Sequence, residues 1–359
     1  MLRTELTRLL GLQYPIVQAP MAGGPTTPDL VAEVSAAGGL GVYAGGGVPP
    51  DILAESIAVI RARTTAPYGV NFLIAPPETN AGADIESVQS VLDRLRADLG
   101  LPSGARDVVV PPSQLAEQIE VVLSERVPML SFALGDPSPF VGAAHEAGVL
   151  VCAMVTTVEE AVRVVDGGVD LVVAQGAEAG GHRSTFDLSD DRGGALVGTL
   201  ALVPQIVDAV ATPVIAAGGI VDGRGLAAAL ALGAAGAQLG TRFLLAAESA
   251  TPQAYRAALV RAIETDTVVT SRFTGRPARS IRNRFLAELA TTEPLPWPLQ
   301  RFAAEDIYRA ATERDDEQLF PLLAGQGLRP LRDGQRAAEI VAEIAEQAVA
   351  VLDSLASDS

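Results

Sequence analysis

Eight short apolar runs recur along the chain, at residues 15–21, 40–44, 68–74, 128–134, 150–155, 170–175, 213–217 and 236–244. Each is too short for an ordinary helix, and β-branched residues are frequent in them. They read as strands buried on both faces. Between most of them lies an alanine-rich segment with helical spacing, for example 28–37, 51–63, 138–147, 158–165 and 224–232. Eight strands alternating with helices favour a closed (β/α)8 barrel, a TIM barrel, over an open doubly wound sheet.

Two departures from even spacing predict additions to that barrel. More than fifty residues separate the third and fourth runs, and they hold helical patterns over 84–99 and 113–124. One helix more than the barrel needs is therefore expected within 78–126. After the eighth run the chain continues for over a hundred residues and includes the proline-rich stretch Thr291-Thr-Glu-Pro-Leu-Pro-Trp-Pro298. The reading is a barrel over 1–248, then a C-terminal helical subdomain over 249–359 that covers the barrel mouth and supplies the final barrel helix. Residues 353–359 read as a frayed end.

Composition removes several functions. Aromatic residues make up 4% of the chain, so the core must be built from Ala, Val, Leu and Ile. All 26 basic residues are arginine, which excludes a Schiff-base lysine and a lysine-bearing phosphate loop. A net charge of −17 opposes nucleic acid and anionic membrane surfaces. The single cysteine, Cys152, allows no intrachain disulfide and reads as an inert buried thiol. The chain opens without a long apolar segment and no run reaches the ~20 residues that span a bilayer, so a cytoplasmic location is expected. Either a monomer or a homodimer is compatible with this composition.

Chemistry in such a barrel belongs at the carboxyl ends of the strands. After the sixth run the chain reads A-Q-G-A-E-A-G-G-H-R-S over 174–184, where glycines allow close backbone approach and Gln175, Glu178, His182 and Arg183 supply polar groups. His182 is one of two histidines, and its ordinary pKa of ~6.5 suits proton transfer near neutral pH. The other, His145, lies in a helical pattern and reads as a surface or packing residue. A lone histidine without clustered ligands is a poor metal site, so no metal is expected. Gly218 and Gly219 follow the seventh run, and Gln238, Gly240 and Thr241 close the eighth. Backbone N–H groups there suit a phosphate, although a glycine pair also serves a plain tight turn. Met21, Asn71 and Gln175 are expected from the opposite side of the barrel. A flat heterocycle with a phosphate tail, such as FMN, fits that arrangement. No G-x-G-x-x-G opens a first βα unit, so a Rossmann site is poorly supported.

Together the motifs Q-A-P-M-A-G-G, G-V-N-F, A-Q-G-A-E-A-G-G-H-R, A-A-G-G-I and Q-L-G-T-R-F resemble the nitronate monooxygenase family, formerly the 2-nitropropane dioxygenases. Thr274-Gly-Arg-Pro-Ala-Arg279 and Ala324-Gly-Gln-Gly327 extend the resemblance into the tail. It implies flavin contacts at Met21, Asn71, Gln175, Gly180, Gly181, Gly218, Gly219, Gln238, Gly240 and Thr241, with His182 catalytic. The implied reaction takes a small alkyl nitronate, such as propionate-3-nitronate, and O2 to a carbonyl compound and nitrite. His182 then has two uses: as neutral imidazole it takes the α-proton of a nitroalkane, and as imidazolium it holds a nitronate beside the flavin.

Ser131 and Phe132, in Ser131-Phe-Ala-Leu-Gly135, resemble the S-F-x-x-G of the same family. They are expected over the flavin with Met21 and tail residues near Trp297. Flavin-dependent enoyl-ACP reductases and NADH:quinone reductases share the A-G-G-H loop, so an NAD(P)H-consuming reductase of an enoyl thioester or quinone is the alternative. A barrel that binds a phosphorylated ligand without turnover is a third reading. Ala133 and Leu134 stand where the family often has an aromatic residue or histidine, and the tail lacks the family's common lysine. Substrate choice stays open on those grounds.

Overall fold

A computed structural model describes residues 2–75, 82–189 and 193–357. The first residues of the expected insertion, 78–81, lie outside the described residues, as do 358 and 359. Eight parallel strands close into a barrel: β1 (Ile16–Gln18), β2 (Leu40–Ala44), β3 (Tyr68–Leu73), β4 (Met129–Ala133), β5 (Leu150–Val155), β6 (Leu171–Gln175), β8 (Val214–Ala217) and β9 (Gly236–Leu239). A short segment, β7 (Gly181–His182), lies between β6 and β8 in the chain but outside the barrel. All eight apolar runs became barrel strands. The first and last are shorter than expected: β1 stops before Pro20, and after Gly240 the chain turns into the helix Thr241–Leu244.

Alternation along each strand sorts the core into two layers. Val17, Val42, Met129, Cys152, Leu171, Val173 and Ile215 share one cluster inside the barrel, joined by Leu6 and Leu10 of the helix Glu5–Leu10. That helix is fixed by Thr4, whose hydroxyl accepts from the Thr7 amide and donates to the Ala235 carbonyl. Residues of the other parity, such as Val70, Phe72, Leu130, Phe132, Val151 and Val172, pack outward against the helices. The inward rows end at the carboxyl side in polar residues: Asn71, Ser131, Gln175 and Gln238, all buried. Burial also settles Cys152, whose thiol is pushed up to about 12 by desolvation and then by Asp170. We predict that the native protein does not react with a thiol reagent at pH 8, and that one equivalent reacts after unfolding. Rapid labelling of the folded protein refutes the buried placement.

Closure corrects one expectation. Strand β1 pairs with β9, and β6 pairs with β8. Met21 and Gln175 therefore flank the glycines of β8 and β9 instead of facing them, and only Asn71, on β3, comes from across the barrel.

The two helices expected before β4 form at Ile85–Asp98 and Leu115–Ser124. Leu115–Ser124 packs on the helix Pro50–Arg63 and takes the ordinary barrel position. Ile85–Asp98 instead shares a second core with the tail, in which Val88, Leu92 and Leu95 meet Phe273, Phe285 and Ile307. Arg96 fastens the two: its Nε donates to Asp306 Oδ2 at 2.8 Å and its Nη2 to the Ala303 carbonyl at 2.6 Å.

The tail is not wholly helical. Strands β10 (Thr267–Thr270) and β11 (Ala278–Ile281) pair antiparallel, and β7 adds to the β11 edge, with Ala278 opposite His182. The final helix, Ala337–Ser357, packs on Gly223–Ala231 and Pro28–Ala36 and completes the helical ring. It continues through residues 353–357, which were read as frayed.

Candidate active site

Gly176 breaks strand β6, and the loop that follows carries the polar groups singled out above. Most of them hold the loop itself. Arg183 is fully buried and turned inward: Nη1 donates to the Gly176 carbonyl at 2.7 Å, and Nη2 to those of Gln175 at 2.9 Å and Ala195 at 3.0 Å. Its pKa is lowered to about 10 by burial and by the neighbouring Arg279 charge. Glu178 caps the helix Thr199–Ala209, accepting from the Thr199 amide at 2.9 Å and its hydroxyl at 2.7 Å. From the tail, Arg279 Nε donates to the Ala177 carbonyl at 2.9 Å. Gln175 Nε2 donates to the His182 carbonyl at 2.8 Å, and its Oε1 accepts from the Ser184 amide at 2.9 Å.

His182 is a member of this loop whose side chain does not brace the loop itself but meets the tail. Its backbone is an edge strand on β11, so the tail sheet fixes where the ring points. Nε2 lies 2.9 Å from Thr274 Oγ1, and the ring meets Trp297 edge-on with centroids 5.5 Å apart. Burial, and after it the positive charges of Arg276 and Arg301, hold its pKa down to about 4. The imidazole is neutral at neutral pH. Arg276 is itself oriented by the carbonyls of Thr185 and Phe186, to which Nη2 donates at 2.5 and 3.2 Å. Thr274, Arg276 and Arg301 were not singled out from the sequence as site residues. The motif Thr274-Gly-Arg-Pro-Ala-Arg279 was the available signal, but only folding shows which loop it meets.

Around this histidine the other candidates take varied places. Asn71 Nδ2 donates to Ser131 Oγ at 3.0 Å across paired strands. Gln238 is buried, yet its amide makes no hydrogen bond among the described residues. Met21 packs against both cores, and its amide is held by Thr26 Oγ1 at 2.8 Å. Gly218 and Gly219 have φ of 120° and 70°, in the left-handed region that favours glycine. Thr241 Oγ1 accepts from the Gly325 amide at 3.0 Å, which leaves its hydrogen to donate. A Cβ at Gly240 would stand 3.6 Å from the Ala19 side chain, an ordinary contact.

Phe132 does not reach this site. It is fully buried and stacks on Phe140 at 5.2 Å, because strand alternation sends it outward when Ser131 points inward. Leu134 is likewise buried, with its amide held by Ser184 Oγ at 2.9 Å. His145 pairs with Asp170 at 2.9 Å on the exposed helix side, far from these groups in role.

Gly180 has a packing reason of its own. A Cβ there would stand 2.5 Å from the Gly325 amide nitrogen and 2.6 Å from the Ala324 carbonyl carbon. We predict that Gly180→Ala pushes the tail segment off the loop and costs about 1–3 kcal/mol. A lowered thermal midpoint and faster proteolysis check it, and wild-type values refute it.

A closed barrel carries a buried-ring histidine and buried side-chain amides at its carboxyl mouth, and the likeness of the whole chain to known proteins defines the class: the protein is a flavin-dependent oxidoreductase. The nitronate monooxygenase family model matches residues 3–347, and the chain belongs to that family. A relative from Staphylococcus aureus (strain JH9), described as a probable nitronate monooxygenase, is 39% identical over 330 residues, covering 91% of this chain and 92% of that one. Among solved structures, a nitroalkane oxidase from Streptomyces ansochromogenes superposes with a TM-score of 0.91 at 39% identity, covering 98% of this chain and 99% of the other. FabK from Thermotoga maritima superposes with a TM-score of 0.79 at 31% identity over the full length of both. Among the described residues no helix is long and apolar enough to cross a membrane.

Proposed function

We propose that the protein binds FMN and oxidises small alkyl nitronates with O2, giving a carbonyl compound and nitrite. The observation that carries this reading is the His182 ring, held by Thr274 and Trp297 and kept neutral by burial and by the charges of Arg276 and Arg301. Their positive potential favours a small anion at the ring, and the unprotonated imidazole is free to accept a proton.

The fit to a flavin rests on polar capacity left over in a buried place. Gln238 has an amide with no partner among the described residues, and Asn71 spends only its Nδ2 on Ser131. Both suit the polar edge of an isoalloxazine ring, and Gly218, Gly219, Gly240 and Thr241 would take the phosphate. The flavin supplies the capacity to take electrons from the substrate and pass them to O2.

The chain's own residues do the rest. Thr274 occupies Nε2 of His182, so with the proton on Nε2 the Nδ1 lone pair is the one that receives the substrate α-proton. Trp297 confines the ring from its edge. Arg276 and Arg301 then stabilise the nitronate that forms, or hold one that arrives already ionised. Anaerobic mixing of the flavin-loaded protein tests the proposal. Bleaching of the flavin by a nitronate, but not by NADPH, is the expected result. The reverse overturns it and supports the reductase that the FabK likeness suggests.

A further inference from the structure

A second group of arginines stands apart from the histidine loop. The helix Gly223–Ala231, the final helix Ala337–Ser357 and the segment 329–332 enclose a cavity of about 290 Å³. Arg224, Arg242, Arg329 and Arg332 line it, against two carboxylates, Asp222 and Glu343. None of the residues proposed for flavin lines this cavity.

Both carboxylates are already engaged. Asp222 Oδ1 caps the helix by accepting from the Arg224 amide at 3.0 Å, and Oδ2 pairs with the Arg224 guanidinium. Glu343 Oε2 accepts from Gln335 Nε2 at 2.7 Å and from Arg242 Nη2 at 3.2 Å, and Oε1 accepts from Gln347 Nε2 at 3.0 Å. Arg329 is paired outward with Glu264.

Arg242 is the anomaly. It is 4% exposed, and its Nη1 has no hydrogen-bond partner among the described residues. Leaving a buried charged donor unpaired is costly, and a native fold keeps such a group where something pairs with it. Arg242 and Arg332 both line the cavity, and beside the effect of burial, which Glu343 opposes, the Arg332 charge lowers the Arg242 pKa. Arg332, exposed at the rim, has no side-chain partner of its own among the described residues.

We propose that this cavity binds a small phosphate-bearing anion, held by Arg242 Nη1 from inside and by Arg332 from the rim. A phosphate oxygen satisfies the spare donor of Arg242 and sits between two guanidinium groups that otherwise repel. Inorganic phosphate and a phosphomonoester share this chemistry.

Titration calorimetry of the flavin-loaded protein tests it, with inorganic phosphate and glycerol 1-phosphate as probes at constant ionic strength. The expected result is saturable binding and a thermal midpoint raised by about 2 °C at ten times Kd, with sodium chloride giving neither. Tighter binding of inorganic phosphate identifies the free ion as the ligand, and tighter binding of the ester identifies a phosphomonoester. Arg332→Ala, at an exposed position, is expected to weaken binding at least tenfold, since a charge-assisted hydrogen bond is lost. Arg242→Met should abolish it, and because Arg242 also holds Gln335 and Glu343, the Arg332 variant carries the decision if that protein fails to fold. Unchanged affinity in Arg332→Ala, no binding at millimolar phosphate, or release of flavin in step with the titration overturns the proposal.

Discussion

His182→Ala is expected to lower kcat/KM for a neutral nitroalkane by about 10²–10⁴-fold, the usual worth of a positioned general base, and to cost a pre-formed nitronate less than about tenfold. The asymmetry follows from the site. A nitroalkane must lose its α-proton, and His182, oriented by Trp297 and Thr274, is the acceptor we propose. A nitronate has already lost that proton, and Arg276 and Arg301 remain to attract it. Initial rates of oxygen uptake with matched nitroalkane and nitronate check this, and equal losses on both would refute proton abstraction. The pH dependence carries the same assignment. Burial and the two guanidinium charges hold the His182 pKa to about 4, against about 6.5 for a free imidazole. The wild-type profile for a nitroalkane should therefore stay flat down to about pH 5 and fall below it, instead of breaking near 6.5. The sign for stability is set by the same shift. Between pH 6.5 and 4 the unfolded chain takes up a proton that the native ring resists, so native stability falls as pH falls through that window. His182→Gln removes this component, and the thermal midpoint of the variant should decline less steeply with acid.

The second large effect is expected from a residue that touches no reacting atom. Arg183→Met removes the donors that hold the carbonyls of Gln175, Gly176 and Ala195 in a fully buried place. Each abandoned carbonyl costs about 1–3 kcal/mol, and the whole change should cost about 3–5 kcal/mol, or about 5 °C in Tm for a chain of this length. Flavin retention should fall with it, because the loop between Gly176 and His182 loses its inner support. Arg183→Lys should recover only part, since one ammonium cannot span three separate carbonyls as a guanidinium does. Thermal unfolding and the flavin-to-protein absorbance ratio decide it, and a midpoint within a degree of wild type refutes the anchoring role.

Much of the candidate site's placement was legible because the carboxyl ends of barrel strands lie on one face by rule. Once the runs were read as parallel strands, Asn71, Gln175, Gln238 and His182 followed from their places at or after carboxyl ends. Reading went astray where an assignment depended on facing. Phe132 carries the family-like S-F pattern, but adjacent residues on a strand point to opposite faces, and its ring went to the helix layer against Phe140. Arg183 and Glu178 looked like ligand groups because they are polar and sit beside His182; in the fold they hold carbonyls and a helix end. The strands Thr267–Thr270 and Ala278–Ile281 were passed over, although Thr267-Val-Val-Thr270 is β-branched throughout, because four residues give too short a period to register.

The sequence by itself determined the barrel, its strand order along the chain, the absence of lysine chemistry and the loop that carries His182. These are properties of local pattern and composition, which burial of alternating apolar runs converts directly into layers. Tertiary structure alone decided what surrounds that histidine. Thr274, Arg276, Trp297 and Arg301 come from about a hundred residues further along the chain, where the tail strand β11 pairs with β7, and burial first, then the charges of Arg276 and Arg301, set the pKa of the imidazole. A long-range contact leaves no periodic trace in a chain, so its consequences for reactivity appear only when the chain is folded.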